Sequence, residues 1–308
     1  MNSTIDRKRI FIFVAIAYVI SIALALAIYF SGGLFIRYPD EMAPSALPLM
    51  QGLMFAPLVA NIATRLITRE GWSNTLLRPN FRRGWPFYLA AWFLPILATI
   101  VGGAIYYLLF PSRFDPSMTW ARDRGLLGIW KDLDPGTLFI TGVGMALAQA
   151  VTIGLLLCFG EEFGWRAYLL PKLMPLGGRK AVLLLGVIHG IWHWPFIPMG
   201  YEYGFGYWGE PVVGPLLFLV FTICLSVFLA WLTLRSGSVW PAALGHGAIN
   251  ASAMLMFPFL TGDPDALIGP LPIGIVGGLG YALLALLIFF SARALAPTAG
   301  PRPVEPNN

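Results

Sequence analysis

The sequence predicts an all-α polytopic membrane protein with eight transmembrane helices and both termini in the cytoplasm. Three observations carry that reading. Of 308 residues, 57% are hydrophobic and 11% charged, less than half the roughly 25% charge of a soluble domain, and the mean hydropathy is +0.73. Eight apolar stretches approach the roughly 20 residues a helix needs to cross a bilayer. The basic residues between those stretches fall on one side of the predicted membrane, as the positive-inside rule requires.

The stretches are Ile10 to Phe30, Pro44 to Ala63, Phe87 to Phe110, Leu138 to Phe159, Ala181 to Met199, Val212 to Leu234, Val239 to Leu260, and Ile268 to Phe290. The first follows Arg7, Lys8 and Arg9, like a secretory signal. Its apolar run exceeds the ~7–15 residues of a signal core and continues past the cleavage-like Ala23-Leu24-Ala25, so it reads as a retained helix. The second and seventh are interrupted by polar residues and prolines. The stretch Trp120 to Leu133 fits a short helix at the outer interface. Tyr201, Tyr203, Tyr207 and Trp208 cluster at one span end like an aromatic belt. Residues 1–295 then form one transmembrane domain, and the Pro-rich tail 296–308 has a disordered composition. With the N-terminus inside, 15 of 20 basic residues lie on the cytoplasmic side and ten of 15 acidic residues on the other. A missed or invented helix would flip every later loop and spoil that split. The same placement explains the net charge of +5 without nucleic acid as a partner. Cys158 and Cys224 both sit in apolar runs, which reads as buried thiols rather than a disulfide framework.

Ionisable groups within spans cost on the order of 2.5–3.5 kcal/mol each and need a partner or a purpose. Three clusters break the apolar runs. Glu161-Glu162-Phe163-Gly164-Trp165-Arg166 follows the fourth span. On a helix Glu162 and Arg166 share a face at i, i+4, and Glu161 points about 100° away. His189 and His193 form an i, i+4 pair in the fifth span, and His246 and Asn250 another in the seventh. All three histidines of the chain are therefore in spans. Lengths place His189 and His193 roughly 12–18 Å past Ala181 and His246 about 10 Å past Val239, so a cavity open to the cytoplasm could gather them with Glu161.

Glu-Glu-x-x-x-Arg, then Trp-His-x-Pro, then His-x-x-x-Asn, on three successive motif-bearing spans within residues 150–255, resembles the CPBP family: CAAX prenyl endopeptidases and bacteriocin-processing or immunity proteins, also called the ABI family. The resemblance implies an eight-helix intramembrane glutamate-type endopeptidase in a bacterial plasma membrane, with its cavity facing the cytoplasm. It implies Glu161 and His193 as activators of water, His246 and Asn250 as oxyanion stabilisers, and Glu162 and Arg166 as supports. It also implies no cofactor, and a membrane-associated peptide or protein, in some members lipidated, as substrate within the lipid bilayer. His189 departs from the pattern, standing where the family usually has an aromatic residue. It extends the polar network or binds a metal.

The chemistry is coherent on its own terms. A carboxylate in a partly desolvated cavity is a competent base, while Asn and His both offer N–H donors. A zinc-dependent protease is the alternative, with Glu161, His193 and His246 as ligands and an open fourth position, although the chain lacks His-Glu-x-x-His. A non-catalytic scaffold or immunity protein and a proton-coupled transporter are the readings outside enzymology.

Overall fold

A computed structural model of the protein describes residues 5–37 and 41–296; the tail predicted to be disordered lies outside the described residues except for Ala296. The described chain is helical apart from a short antiparallel pair, β1 (Phe35–Arg37) with β2 (Glu41–Met42). Five helical stretches are long and apolar enough to span a membrane. They are α1 (Arg7–Phe30), α4 (Phe81–Leu109), the continuous run Pro135–Leu176, Gly178–Met199, and α10 (Val213–Ser236). A sixth is made by α2 (Ala46–Leu53) and α3 (Ala56–Thr68) taken together, bent by 46°. Pro57, in the first turn of α3, lacks the N–H that would carry the α2 ladder onward. Phe11, Val19, Leu97 and Val220 project from these helices, exposed and apolar, as side chains facing lipid do.

The sequence places the end of the fourth span at Phe159, but the helix continues. It comprises α6 (Pro135–Gln149), α7 (Leu155–Gly164) and α8 (Leu170–Leu173). Wide turns join them at Ala150–Gly154 and Trp165–Leu169. Asp134 starts the run by accepting a 3.0 Å hydrogen bond from the Thr137 backbone N–H. Glu161 and Glu162 are therefore inside a helix, between two wide turns, rather than at its end. Next comes α9 (Gly178–His193).

The seventh and eighth predicted spans are shorter than expected. Helix α11 covers only Trp240–Ser252, and every residue from Pro241 to Ile249 is buried. A helix enclosed by others has no lipid face to cover and needs no bilayer-length apolar run. Helix α12 covers only Leu279–Phe290. Residues 268–278 contain Gly269, Pro270, Pro272, Gly274, Gly277 and Gly278 and fold back as turns. Their N–H groups are satisfied locally, Ile275 donating to the Leu267 carbonyl at 2.7 Å and Val276 to that of Ile268 at 2.9 Å. Non-helical backbone of this kind is tolerated at membrane depth where protein covers it.

Several glycines serve internal packing. A Cβ on Gly102 would fall on the Gly277 carbonyl oxygen, and one on Gly280 on that of Ala98. Helices α4 and α12 thus meet backbone to backbone. Gly280→Leu is expected to destabilise the fold by about 1–3 kcal/mol, because backbone atoms cannot yield as a side chain would. A lowered thermal midpoint in detergent micelles checks this, and an unchanged midpoint would refute the contact.

Two interfacial expectations need correction. The interfacial helix in Trp120 to Leu133 is reduced to the end of α5 (Thr119–Asp123) and one tight turn, Gly128–Trp130. Gly125 and Gly128, at φ +70 and +53, break it. The aromatic belt holds for Trp208, which is 80% exposed, but Tyr203 is buried and donates to the Ile273 carbonyl at 3.0 Å.

Helices α1 and α9 run parallel. Tyr18 donates to the Ile188 carbonyl at 2.7 Å, and Ser21 to that of Trp192 at 2.8 Å. Phe13, Trp165 and Trp192 fill the space between them, with edge-on ring contacts at 5.5 and 5.6 Å. This apolar block forms the wall behind the histidines.

Candidate active site

Helix α11 reaches the bent helix through glycine. Gly247 lies against Gly154 in the wide turn before α7, and a Cβ on either would press on the other's backbone. That approach brings His246 to Glu162. Before α7 the chain is kinked at Thr152, whose φ −114 and ψ −107 are non-helical, and a wide turn follows it; wide turns recur at functional sites, where they re-aim side chains.

The predicted residues assemble into two adjacent groups. In the first, Glu162 Oε1 accepts from Arg166 Nη1 at 2.8 Å and from His246 Nδ1 at 2.8 Å. Glu162 and Arg166 are fully buried. The i, i+4 pairing expected from sequence is thus present, with a partner the sequence did not assign: His246 is held by the support carboxylate. Among the described residues, Glu162 Oε2 and Arg166 Nε and Nη2 have no hydrogen-bond partner.

In the second group, Glu161 Oε2 and His189 Nε2 are 2.9 Å apart. His193 Nδ1 lies 3.1 Å from the His189 carbonyl oxygen. A carbonyl can only accept, so Nδ1 carries the proton and a neutral His193 keeps its lone pair on Nε2. Glu161, His189 and His193 each offer one ligand atom, and the three lie within 4.8 Å of one another. One water can bridge two groups at that separation, since each hydrogen bond spans about 2.8 Å. His189 packs between Trp165 and Trp192, at ring distances of 5.3 and 6.1 Å. Its role, left open by the sequence, is that of a neighbour to Glu161. Among the described residues the compact potential ligand set is Glu161, His189 and His193; the set expected from sequence has His246, whose Nδ1 contacts Glu162, in place of His189.

Both groups meet at a cavity of about 240 Å³. Glu161, His189, His193, His246 and Asn250 line it, together with apolar residues of α2 and α10 such as Met50, Leu53, Phe218 and Leu225. Asn250 is exposed, and its amide lies 3.5 Å from Cys158 Sγ. Cys158 is buried.

Residues the sequence reading passed over also contribute: Met42, Gln51, Tyr201 and Glu202. The signal available was Glu202, an acidic residue amid aromatics beside a motif-bearing span. The Tyr201 ring lies parallel to the His193 ring, with 4° between planes and 6.1 Å between centroids. Met42, Tyr201 and Glu202 follow the C-terminal ends of the parallel helices α1 and α9. Arg7, Arg65, Lys172, Arg179 and Arg235 lie at the other end. The sequence reading put the cavity mouth on the side of the basic residues. Its exposed rim residues Met42 and Gln51 instead lie at the opposite end.

Residues 137–252 match the family model described as type II CAAX prenyl endopeptidase, Rce1-like. The chain is also similar to CAAX prenyl protease 2 of Methanococcus maripaludis, at 27% identity over 98 residues, 31% of this chain and 36% of that protein. The similarity thus spans about a third of the relative's length. The matched segment contains Glu161, Glu162, Arg166, His189, His193, His246 and Asn250. Through that segment the chain is similar to the CAAX-type prenyl endopeptidases.

Proposed function

We propose that this protein is an intramembrane endopeptidase that hydrolyses a peptide bond of a membrane-associated or lipidated peptide, within a single transmembrane domain of residues 1–295. The observation that carries the reading is the spacing of Glu161 and His193 across the width of one water, at the wall of a cavity. The water donates one hydrogen bond to the Glu161 carboxylate and one to the His193 lone pair. It attacks the substrate carbonyl as its proton passes to this pair, and the pair returns a proton to the leaving amine. Asn250 donates its amide to the developing oxyanion. His246 donates through Nε2 when protonated, its Nδ1–H being given to Glu162. A protonated His246 with Arg166 also balances the two carboxylates, so the set of four carries no net charge. Glu162 and Arg166 position His246 and do not touch substrate.

Comparative peptidomics of membranes holding wild-type or Glu161→Ala protein tests this reading. Peptides that accumulate only with the wild type are expected, and identical profiles would refute it.

A second reading is favoured by the closeness of Glu161, His189 and His193. Two histidines and a glutamate make a zinc set with one open position, and the His193 Nδ1–H bond to a carbonyl is the usual outer support of a ligating imidazole. Zinc there would polarise the substrate carbonyl and acidify its bound water. In the metal-free reading, chelation leaves hydrolysis unchanged and purified protein holds no stoichiometric zinc. In the zinc reading, His189→Phe loses both metal and activity.

We also propose an eight-pass arrangement in a bacterial plasma membrane, with the basic end in the cytoplasm, following the positive-inside rule. The cavity rim then faces the outer side. A cysteine at Gln51→Cys is expected to react with an impermeant maleimide in intact cells, and one at Arg179→Cys only after permeabilisation. The reverse pattern would invert the orientation.

A further inference from the structure

Resting on the hydrolytic reading, we propose that Glu202 is a specificity-determining residue, selecting substrates that carry a cationic group, a lysine or arginine side chain or a free amine, in the segment seated in the cavity.

The first support is the charge inventory of the cavity. Among the described residues its lining holds two carboxylates, Glu161 and Glu202, and no lysine or arginine. Arg166 is sealed behind Glu162 at 0% exposure, so it offers nothing to a ligand. A substrate presenting a free carboxylate here meets like charge and no counterion, whereas one presenting a cation meets an acceptor. The remaining wall is apolar and adaptable, with Met42, Met50, Met54, Phe218 and Phe221 among its residues, and suits an unbranched or irregular apolar neighbour to that cation.

The second support is the backbone. Glu202 sits at φ +68, a left-handed conformation few non-glycine residues adopt, between Gly200 at φ +90 and Gly204 at φ +68. Tyr203 anchors the loop through its hydrogen bond to the Ile273 carbonyl. Strained conformations of this kind persist where surrounding structure imposes them and cluster at ligand-holding sites. Here the strain holds a carboxylate one residue from the ring that lies parallel to His193.

The third is that Glu202 has no cationic partner among the described residues. Burial pushes its carboxyl up to about 7, against a smaller lowering by the neighbouring Tyr201 side chain. A substrate cation beside it would favour the ionised form. Recognition therefore strengthens as pH rises through about 7 and weakens below, where the carboxyl is protonated. Glu161, His189, His193, His246 and Tyr201 face the same cavity, so the pH effect is read as a difference between two peptides, which cancels titrations common to both.

The experiment uses full-length protein in proteoliposomes and a set of apolar peptides identical except for one position, scanned along the peptide, that holds Lys, Gln or Glu. Binding is measured with Glu161→Gln protein and cleavage with the wild type. At one register the Lys peptide is expected to bind about tenfold more tightly than the Gln peptide, the scale of a hydrogen bond to a charged group, with the Glu peptide weaker still. Glu202→Gln should bring the Lys-to-Gln ratio near one and remove its rise between pH 6 and 8. Glu202→Lys should reverse the order in favour of the Glu peptide. A Lys preference that survives Glu202→Gln, or no preference at any register, overturns the proposal. Selective binding without cleavage by the wild type would keep this proposal and refute the hydrolytic reading, so the two failures are separable.

Discussion

Glu161→Gln is expected to lower kcat for peptide hydrolysis by about 10²–10⁴, the usual contribution of a general base, with KM changed little. Glutamine has the same length and keeps an oxygen to accept from His189 Nε2, so the 2.9 Å contact survives and the fold with it. The variant loses the negative charge and basicity that take a proton from water. A fall in kcat alone identifies a group needed only as the bond breaks. The companion variant His193→Phe removes the Nε2 lone pair that the hydrolytic proposal gives to the same water, and on that proposal its effect should not add to that of Glu161→Gln, because the two would act on one proton transfer. Cleavage assays on single and double variants check this. Retained activity in Glu161→Gln would remove this carboxylate from the chemistry, and fully additive losses would separate the two residues.

The sequence made the site more legible than the fold around it. Glu161, Glu162, Arg166, His189, His193 and His246 are charged or titratable groups in apolar runs. Burying such groups is costly, so their presence is a strong signal. Their convergence follows from three helices packing closely. Harder to see was the pairing within the set. An i, i+4 rule finds Glu162 with Arg166, but the contact of Glu162 with His246 depends on Gly247 nesting against Gly154, a tertiary event no local pattern encodes. Span lengths were legible for α1, α4 and α10, which face lipid and need apolar length. They were illegible for α11, which is enclosed. Residues 268–278 read as a span by hydropathy and fold as turns because their glycines and prolines disfavour a helical ladder. The cavity rim was missed for a related reason. Met42 and Gln51, from the segment after α1, carry no chemical signal, and Glu202 is placed by a left-handed loop.

Arg166→Met is expected to destabilise the protein by about 3–5 kcal/mol, the cost of leaving a buried charge without its partner. The argument starts from burial. Arg166 and Glu162 both have 0% exposure and are joined at 2.8 Å, so neither can recover solvation when the other is lost. Methionine fills much of the volume, leaving the Glu162 carboxylate with only His246 Nδ1 at 2.8 Å. The reciprocal change Glu162→Gln leaves the guanidinium facing a neutral amide and removes the charged acceptor that orients His246. The double variant Glu162→Gln, Arg166→Met removes both charges together and is expected to be more stable than Arg166→Met alone. Three atoms of the pair lack partners among the described residues, Glu162 Oε2 and Arg166 Nε and Nη2, so replacing both members is cheaper than replacing one. Arg166→Lys is expected to fall between, since an ammonium keeps the charge but not the planar fork. Thermal unfolding in detergent gives the order. Activity supplies the second readout, because the double variant still leaves His246 without its carboxylate. Its stability should recover while hydrolysis does not. Recovery of both would show that Glu162 has no part in holding His246 towards the substrate.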